Sequence, residues 1–573
     1  MALYSGRIRF FSIAIFVFGL LLISRLYVLQ IVEGSDYMAL ADRQYIRSTF
    51  DYYDRGSIFF SNKDSTLAPA ASLKNGFILT VHPDEVSSAE DIYTKLNPVY
   101  PLDLADFLLK ANKKGDPEER LGLRLSKTTA DKIEALKIPG IHLAQERWRF
   151  YPMLKTASHA VGFVGFDNTD DLNGRYGLER FYEETLGRNN KSSYDNLFVE
   201  VFSGLKKAIT KDQKFEGDIV TTIEPSVQSF LEQKLSEIED PWHSDYSGGI
   251  IMDPNTGEIF ALALAPSFDP NNLQKEKSVD VFQNKLVESV YEMGSIIKPL
   301  TMAAAIDAGA VTAETRYFDA GSIVLNGKTI SNFDHKARGN VPMQEVLNQS
   351  LNTGVVFAMQ KMGKDNFSKY MKSFGLGQET GIDLPNEGHG LIDNLDSPRE
   401  VEHATAAFGQ GIAMTPIETI RALSSLGNGG FLPNPHLVKK ITYKLGGEKT
   451  IVSNPSVRVL KKETSDEITS MLIKVVDTAL LGGTVKMPNY SIAAKTGTAQ
   501  LVENGKYAED KFLHSFFGYF PAYEPRFIVF LFNMYPKGAQ YASETLTHPF
   551  IDIAKFLINY YELPPDRGRS ETP

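Results

Sequence analysis

Three short groups of residues along this chain carry side chains that could do covalent chemistry together. The first is Tyr291-Glu-Met-Gly-Ser-Ile-Ile-Lys298-Pro. Gly294 allows a sharp entry, and Ser295 then opens an apolar helix marked by Ile296, Leu300 and Ala304. Three residues along a helix is one turn up on nearly the same face, so Lys298 stands beside Ser295. A serine hydroxyl attacks a carbonyl only when a neighbour takes its proton, and a partly desolvated lysine at that spacing can do so. The same spacing recurs at Ser203-Gly-Leu-Lys206 without the strand–turn–helix setting, so spacing alone does not decide.

Two further groups sharpen the choice. Ser350-Leu-Asn352 lies 55 residues beyond Ser295, in the polar break Asn348-Gln-Ser-Leu-Asn-Thr-Gly354. Alone it reads as an ordinary loop or helix cap. Lys495-Thr-Gly-Thr498 ends the alternating strand Tyr490-Ser-Ile-Ala-Ala494. Its plain reading is a basic residue leaving a strand. Gly497, however, removes a side chain where a substrate backbone would approach, and Thr496 and Thr498 flank it with hydroxyl donors. A cation plus two hydroxyls on an open strand is a good receiver for a carboxylate. Ser-x-x-Lys, Ser-x-Asn and Lys-Thr-Gly in that order form a specific combination.

The elements that must position these groups follow from the pattern around them. Gly248 to Ala263 reads as two apolar strands joined by the Pro254-Asn-Thr-Gly257 turn, a hairpin. Helical patterns follow at Ser295–Ala308 and Pro416–Leu426, and strands return at Ser491–Thr498, Phe512–Tyr519 and Arg526–Phe532. A strand pair, then helices, then a strand meander describes an α+β sheet with helices against it. Upstream, residues 34 to about 240 mix short strands (Gly76–Val81, Asp218–Ile223) with polar helices such as Ser226–Leu235, and Glu239–Ser244 reads as a boundary. At the start, Arg7 and Arg9 precede the apolar run Phe10–Ile23, continued by Leu26–Val32. Together the two runs reach the ~20 residues a bilayer requires, with Arg25 snorkelling to the interface. A cleaved signal peptide is the rival reading, but no small-x-small site precedes Glu33. The positive-inside rule keeps the arginine end cytoplasmic and puts the rest of the chain outside.

Composition removes other functions. Of 573 residues, 43% are apolar and 23% charged, an ordinary globular balance. Sixty Lys and Arg against 70 Asp and Glu leave a net charge of −10, which argues against a nucleic-acid partner. No cysteine is present, which excludes disulfides, thiolate zinc sites, iron–sulfur clusters and a cysteine nucleophile. The ten histidines show no paired metal-ligand spacing and read as structural or surface residues.

On its three motifs the chain resembles the penicillin-binding proteins, and among them the monofunctional class B transpeptidases. Gly249–Asn271, ending Ala265-Pro-Ser-Phe-Asp-Pro270, is similar to that family's entry to the catalytic domain. Phe408-Gly-Gln-Gly-Ile-Ala-Met-Thr-Pro416 resembles its stretch between the second and third motifs. Arg55-Gly-Ser-Ile58, Tyr151-Pro152 with His159 to Gly165, and Gly177-Leu-Glu179 resemble its non-catalytic pedestal. Where the family carries Pro before the Gly and Thr-Phe between Ser and Lys, this chain has Met293 and Ile296-Ile297. Where it continues Asp-Arg-Asn-Gly after the Arg-Gly-Ser-Ile group, this chain has Phe60-Ser-Asn-Lys63.

The resemblance implies an α+β chain in five parts. These are a cytoplasmic tail (1–9), a single transmembrane signal anchor (10–32), an elongated mixed α/β pedestal (33–240), a transpeptidase domain (245–563) and a disordered tail (564–573). The transpeptidase domain would be an antiparallel sheet with helices on both sides, similar to serine β-lactamases. Ser295 would be the acylated nucleophile and Lys298 its general base. Ser350 would relay a proton to the leaving amine, and Asn352 would hold the donor peptide's amide. Lys495 would supply positive potential, with Thr496, Gly497 and Thr498 in the substrate-binding strand. The backbone N–H groups of Ser295 and Thr498 would form the oxyanion hole. No metal or organic cofactor is implied. Partners would be peptidoglycan stem peptides, β-lactams as covalent inhibitors, a membrane-embedded lipid-II polymerase and other division or elongation proteins. Glu292 and Pro299 lean toward the division type, with the elongation type as the alternative. A β-lactamase or β-lactam sensor and a catalytically silent scaffold are more distant ones.

Overall fold

The computed structural model describes residues 53–166, 172–188, 216–451, 457–503 and 505–567, with Phe16, Phe18 and Gly19 ahead of them. The expected anchor, residues 10–32, lies almost wholly outside the described residues, and so does Ser203-Gly-Leu-Lys206. Among the described residues no helix is long and apolar enough to cross a membrane.

The chain forms two compact units, of which the smaller holds residues 74–148. Its helices start where the sequence supplies caps. The side chains of Ser88, Asp103 and Ser126 each accept a hydrogen bond from a first-turn amide of the helices Ala89–Leu96, Leu104–Ala111 and Lys127–Ala135. Ile92, Leu96, Phe107 and Ile133 bury the inner faces of these helices against Leu79, Val81 and Leu125.

In the larger unit, five antiparallel strands run in the spatial order Ala493–Glu503, Lys506–Phe520, Phe527–Met534, Tyr246–Met252, Ile259–Ala265. The hairpin and the late strands expected from the sequence are therefore present. They read as nearly continuous apolar runs because both faces are covered. Side chains alternate across the sheet. Ile250, Leu262, Phe517 and Phe530 face the helix Lys298–Asp307 and its neighbours. Ile251, Ala261, Phe516 and Val529 face the helices Pro225–Trp242 and Thr547–Tyr560.

Two boundaries differ from the sequence reading. The helix Pro225–Trp242 continues through Glu239–Trp242, because Pro241 falls only in its last turn, just before left-handed His243. The strand Gly217–Thr221, upstream of that boundary, pairs antiparallel with Val438–Tyr443 far downstream. The first residues of the expected disordered tail also hold defined partners. The Asp566 carboxylate accepts from the Ser491 N–H (2.7 Å), and Arg567 forms a two-pronged pair with Asp477 at 2.7 Å per contact.

The same unit gathers the residues Arg55, Tyr151 and Glu179 around one buried charge cluster. Glu179 receives Arg55 Nε at 2.6 Å, Arg149 Nε at 2.6 Å and the Tyr151 hydroxyl at 3.1 Å. Arg55 also reaches both oxygens of Glu183, at 2.9 and 2.7 Å. Burial pushes the Glu179 carboxyl up, but the Arg149 and Arg55 guanidiniums outweigh it and the net shift is downward. Removing one partner of such a cluster leaves charge buried without compensation. Glu179→Gln is therefore expected to cost about 3–5 kcal/mol of unfolding free energy, read by urea titration. A change below about 1 kcal/mol would mean the cluster adds nothing to stability.

Candidate active site

Gly294 sets the geometry of the first motif. It has φ +63°, its N–H donates to the Gly409 carbonyl (3.0 Å), and a Cβ there would come within 2.9 Å of the Thr498 carbonyl. A Cβ on Gly409, itself at φ +79°, would meet the Gly294 carbonyl at 2.2 Å. The chain thus turns in a slot that only glycine fits. Tyr291 and Met414 close the slot with reciprocal backbone hydrogen bonds of 2.9 Å each, which accounts for the Phe408–Pro416 stretch. The expected single helix from Ser295 starts instead as a 3₁₀ turn, Gly294–Ile297, followed by the α-helix Lys298–Asp307 with Pro299 in its first turn. Met293, Ile296 and Ile297, which depart from the family pattern, are buried in the core.

The second motif sits in a strained break. Ser350 has φ +55°, between the helices Met343–Asn348 and Asn352–Met362. A non-glycine residue in that region costs energy and persists only where the surroundings hold it. They do so through two lysines. Lys298 Nζ donates to the Ser350 carbonyl (2.5 Å) and to its Oγ (3.1 Å), and Lys495 Nζ donates to the same Oγ at 3.1 Å. Among the described residues Lys298 Nζ bonds Ser350, not Ser295. The Asn352 amide donates to the Ser331 carbonyl (2.8 Å), which leaves its Oδ1 as an acceptor.

The third motif lies on the edge strand Ala493–Glu503. Lys495 is buried and also donates to the Thr496 carbonyl (3.0 Å). Thr498 Oγ1 accepts from the Ala542 N–H at 3.1 Å, so its own O–H proton is available to donate. Gly497 has a different reason from the one expected. A Cβ there would meet Ser515 Oγ at 2.4 Å, the Met293 carbonyl at 2.8 Å and Ile296 Cγ2 at 3.0 Å. It lets the strand pack onto the Ser295 turn; the substrate side is not where the space is needed.

Ser295, Lys298, Ser350, Asn352, Lys495, Thr496 and Thr498 all line one cleft of about 840 Å³. Burial drives the Lys298 ammonium well below its ordinary range, and the charge of Lys495 drives it further. Burial alone brings Lys495 down to about 8. The shift favours the amine form of the first lysine, while the second remains mostly a cation at neutral pH. A hydroxyl, a lysine pushed toward its amine form, a hydroxyl shared by two lysines and a buried cation on an edge strand make a site suited to serine acyl transfer.

Sequence reasoning missed the scaffold behind Ser350 and Asn352. Buried Asp319 accepts from Asn332 Nδ2 (3.0 Å to each oxygen) and Thr353 Oγ1 (2.8 Å). Asn332 Oδ1 in turn accepts from the Thr353 N–H at 3.2 Å. These residues lie 13 to 34 positions apart, and no local pattern marks them.

Fold and cleft together define a serine acyltransferase. The chain belongs to the penicillin binding protein transpeptidase family, whose domain it matches over residues 248–554. It is 31% identical to Stage V sporulation protein D of Bacillus subtilis, across 93% of this chain and 82% of that protein. It is 27% identical to peptidoglycan D,D-transpeptidase FtsI of Escherichia coli, across 78% and 73% of the two chains. The crystal structure of penicillin binding protein 2X from Streptococcus thermophilus shares the fold, with a TM-score of 0.72, 21% identity and coverage of 89% and 80%. The expected kinship with class B penicillin-binding proteins is borne out.

Proposed function

We propose that this enzyme is a peptidoglycan D,D-transpeptidase that crosslinks stem peptides through an acyl-enzyme on Ser295. Lys298 Nζ takes the Ser295 proton as Oγ bonds to the carbonyl carbon of the penultimate D-alanine. The peptide C–N bond then breaks, and Ser350 passes the proton to the departing D-alanine amine. An acceptor amine next attacks the ester carbon, its C–N bond forms as the ester bond to Ser295 Oγ breaks, and the proton lost by the amine returns to Ser295 through Lys298. The observation that carries this reading is Ser350 Oγ at 3.1 Å from both Lys298 and Lys495, a proton relay between two amines of different basicity. Asn352 Oδ1 accepts the donor peptide's N–H, and the N–H groups of Ser295 and Thr498 hold the oxyanion. A β-lactam reacts by the same first step and keeps its leaving amine tethered.

The apolar run at 10–32 anchors the chain with its arginines inside and its catalytic part outside. Glu292 and Pro299 support a septal role beside a membrane-embedded lipid-II polymerase. Incubation with D-alanyl-D-alanine stem peptides tests the reaction: D-alanine release with crosslinked dimers is expected, and hydrolysis without dimers would replace this reading with a carboxypeptidase or β-lactamase.

Carboxylate recognition has its own test. A hydrogen bond to a charged group contributes about 1.5–3 kcal/mol, so Thr498→Val should slow acylation by an ordinary penicillin roughly 10- to 150-fold. A carboxylate-amidated analogue should be affected much less. Valine also removes the acceptor of the Ala542 N–H, so Thr498→Ser, which keeps the hydroxyl, is the control. An equal fall for both ligands would mean that Thr498 serves the strand alone.

A further inference from the structure

We infer that His82, Glu85 and His142 form a binding site for a borderline transition-metal cation, Zn²⁺ foremost, on the smaller unit. One nitrogen from each ring and one carboxylate oxygen of Glu85 all lie within 4.8 Å of one another. His142 Nε2 is 2.9 Å from one Glu85 oxygen, and His82 Nδ1 is 3.7 Å from the other. Tetrahedral zinc with bonds of 2.0–2.2 Å separates its ligand atoms by about 3.4 Å, a value between these two. The rings stack with centroids 3.9 Å apart and planes 29° from parallel. Both imidazoles are partly exposed, so they can turn their nitrogens onto a shared ion.

The backbone beneath the three side chains is fixed. His82 precedes the 3₁₀ turn Pro83–Glu85, and residues three apart in such a turn eclipse, which places His82 and Glu85 on one side. The Glu85 N–H donates to the His82 carbonyl (2.9 Å), and the His82 N–H donates to the Gly140 carbonyl (2.8 Å). That second bond ties the turn to the segment that delivers His142 on the strand Ile141–Phe150. Lys114 Nζ caps the turn from its other end by donating to the Pro83 and Val86 carbonyls.

The donor set selects the ion. Two imidazoles and a carboxylate suit Zn²⁺ and its neighbours, whereas Mg²⁺ and Ca²⁺ prefer oxygen donors alone. Three protein ligands leave a fourth position for water. The bound ion would clasp two segments some sixty residues apart, in a chain that has no cysteine to form a disulfide. Histidine spacing along the chain gives no hint of it, because His142 arrives through tertiary pairing.

The test uses the full-length chain, free of affinity tags and stripped with a chelator, titrated with Zn²⁺ against a colorimetric competitor at pH 7.5. One equivalent is expected to bind with micromolar or tighter affinity, and to raise the unfolding temperature where Mg²⁺ does not. Glu85→Gln and His142→Gln should each weaken binding at least tenfold while penicillin labelling persists. His335→Gln, an exposed histidine elsewhere, should not change binding. As a check independent of any variant, Zn²⁺ should protect His82 and His142 of the natural chain from acylation by diethyl pyrocarbonate, read by mass spectrometry. Failure to bind at 100 μM Zn²⁺, binding unchanged in both variants, or no protection of the two histidines would overturn the site.

Discussion

Ser295→Ala is expected to abolish penicillin labelling and D-alanine release, a loss of about 10⁴-fold or more, since it removes the proposed acyl acceptor. The substitution removes one partly exposed oxygen next to a glycine slot that stays intact, so the unfolding midpoint should barely move. Ser203→Ala, at the second Ser-x-x-Lys, should label like the natural chain. Intact mass spectrometry after exposure to a penicillin decides between them. An adduct that survives in Ser295→Ala, or vanishes in Ser203→Ala, would mean that the nucleophile has been misassigned.

Lys298→Met should lower the second-order acylation rate by about 10²–10⁴-fold, the usual contribution of a positioned base. Its more telling effect is on the pH profile. Burial and the charge of Lys495 hold Lys298 far below its ordinary value, so the natural enzyme should gain rate as pH rises through that lowered titration. It should lose rate again near pH 8, where Lys495 gives up the proton whose charge attracts the substrate carboxylate. In Lys298→Met the rising limb should disappear and the falling limb remain. A rising limb that survives would assign the base to another group, and a falling limb equal for an amidated penicillin would detach Lys495 from carboxylate recognition.

The proposed reacting groups, which the structure brings to one cleft, stand out in the sequence because their chemistry demands short, fixed spacings. A turn into a helix leaves little choice about where Gly294, Ser295 and Lys298 stand, and the Lys495 strand carries its own alternation. The strands of the sheet are legible too, since they announce themselves as apolar runs; their spatial order is not. What stayed hidden depends on tertiary pairing. Asp319, Asn332 and Thr353 are unremarkable polar residues until the chain folds back on itself. The need for glycine at 497 was plain, but its cause, the Ser515 and Met293 atoms behind it, belongs to other elements. Arg55, Arg149 and Glu179 likewise look like surface charge until burial brings them together.

The pairing of Gly217–Thr221 with Val438–Tyr443 sets a timetable for biogenesis. The first strand leaves the ribosome more than two hundred residues ahead of its partner, which at 5–20 residues per second is roughly 10–45 s. Throughout that interval one edge of a growing sheet stays open while apolar segments from the catalytic half are still arriving. Such an edge is what holdase chaperones shield and what mispairs when they are scarce. Cutting the chain at residue 245 to produce the halves separately would make the interval permanent, with a bare edge on each fragment.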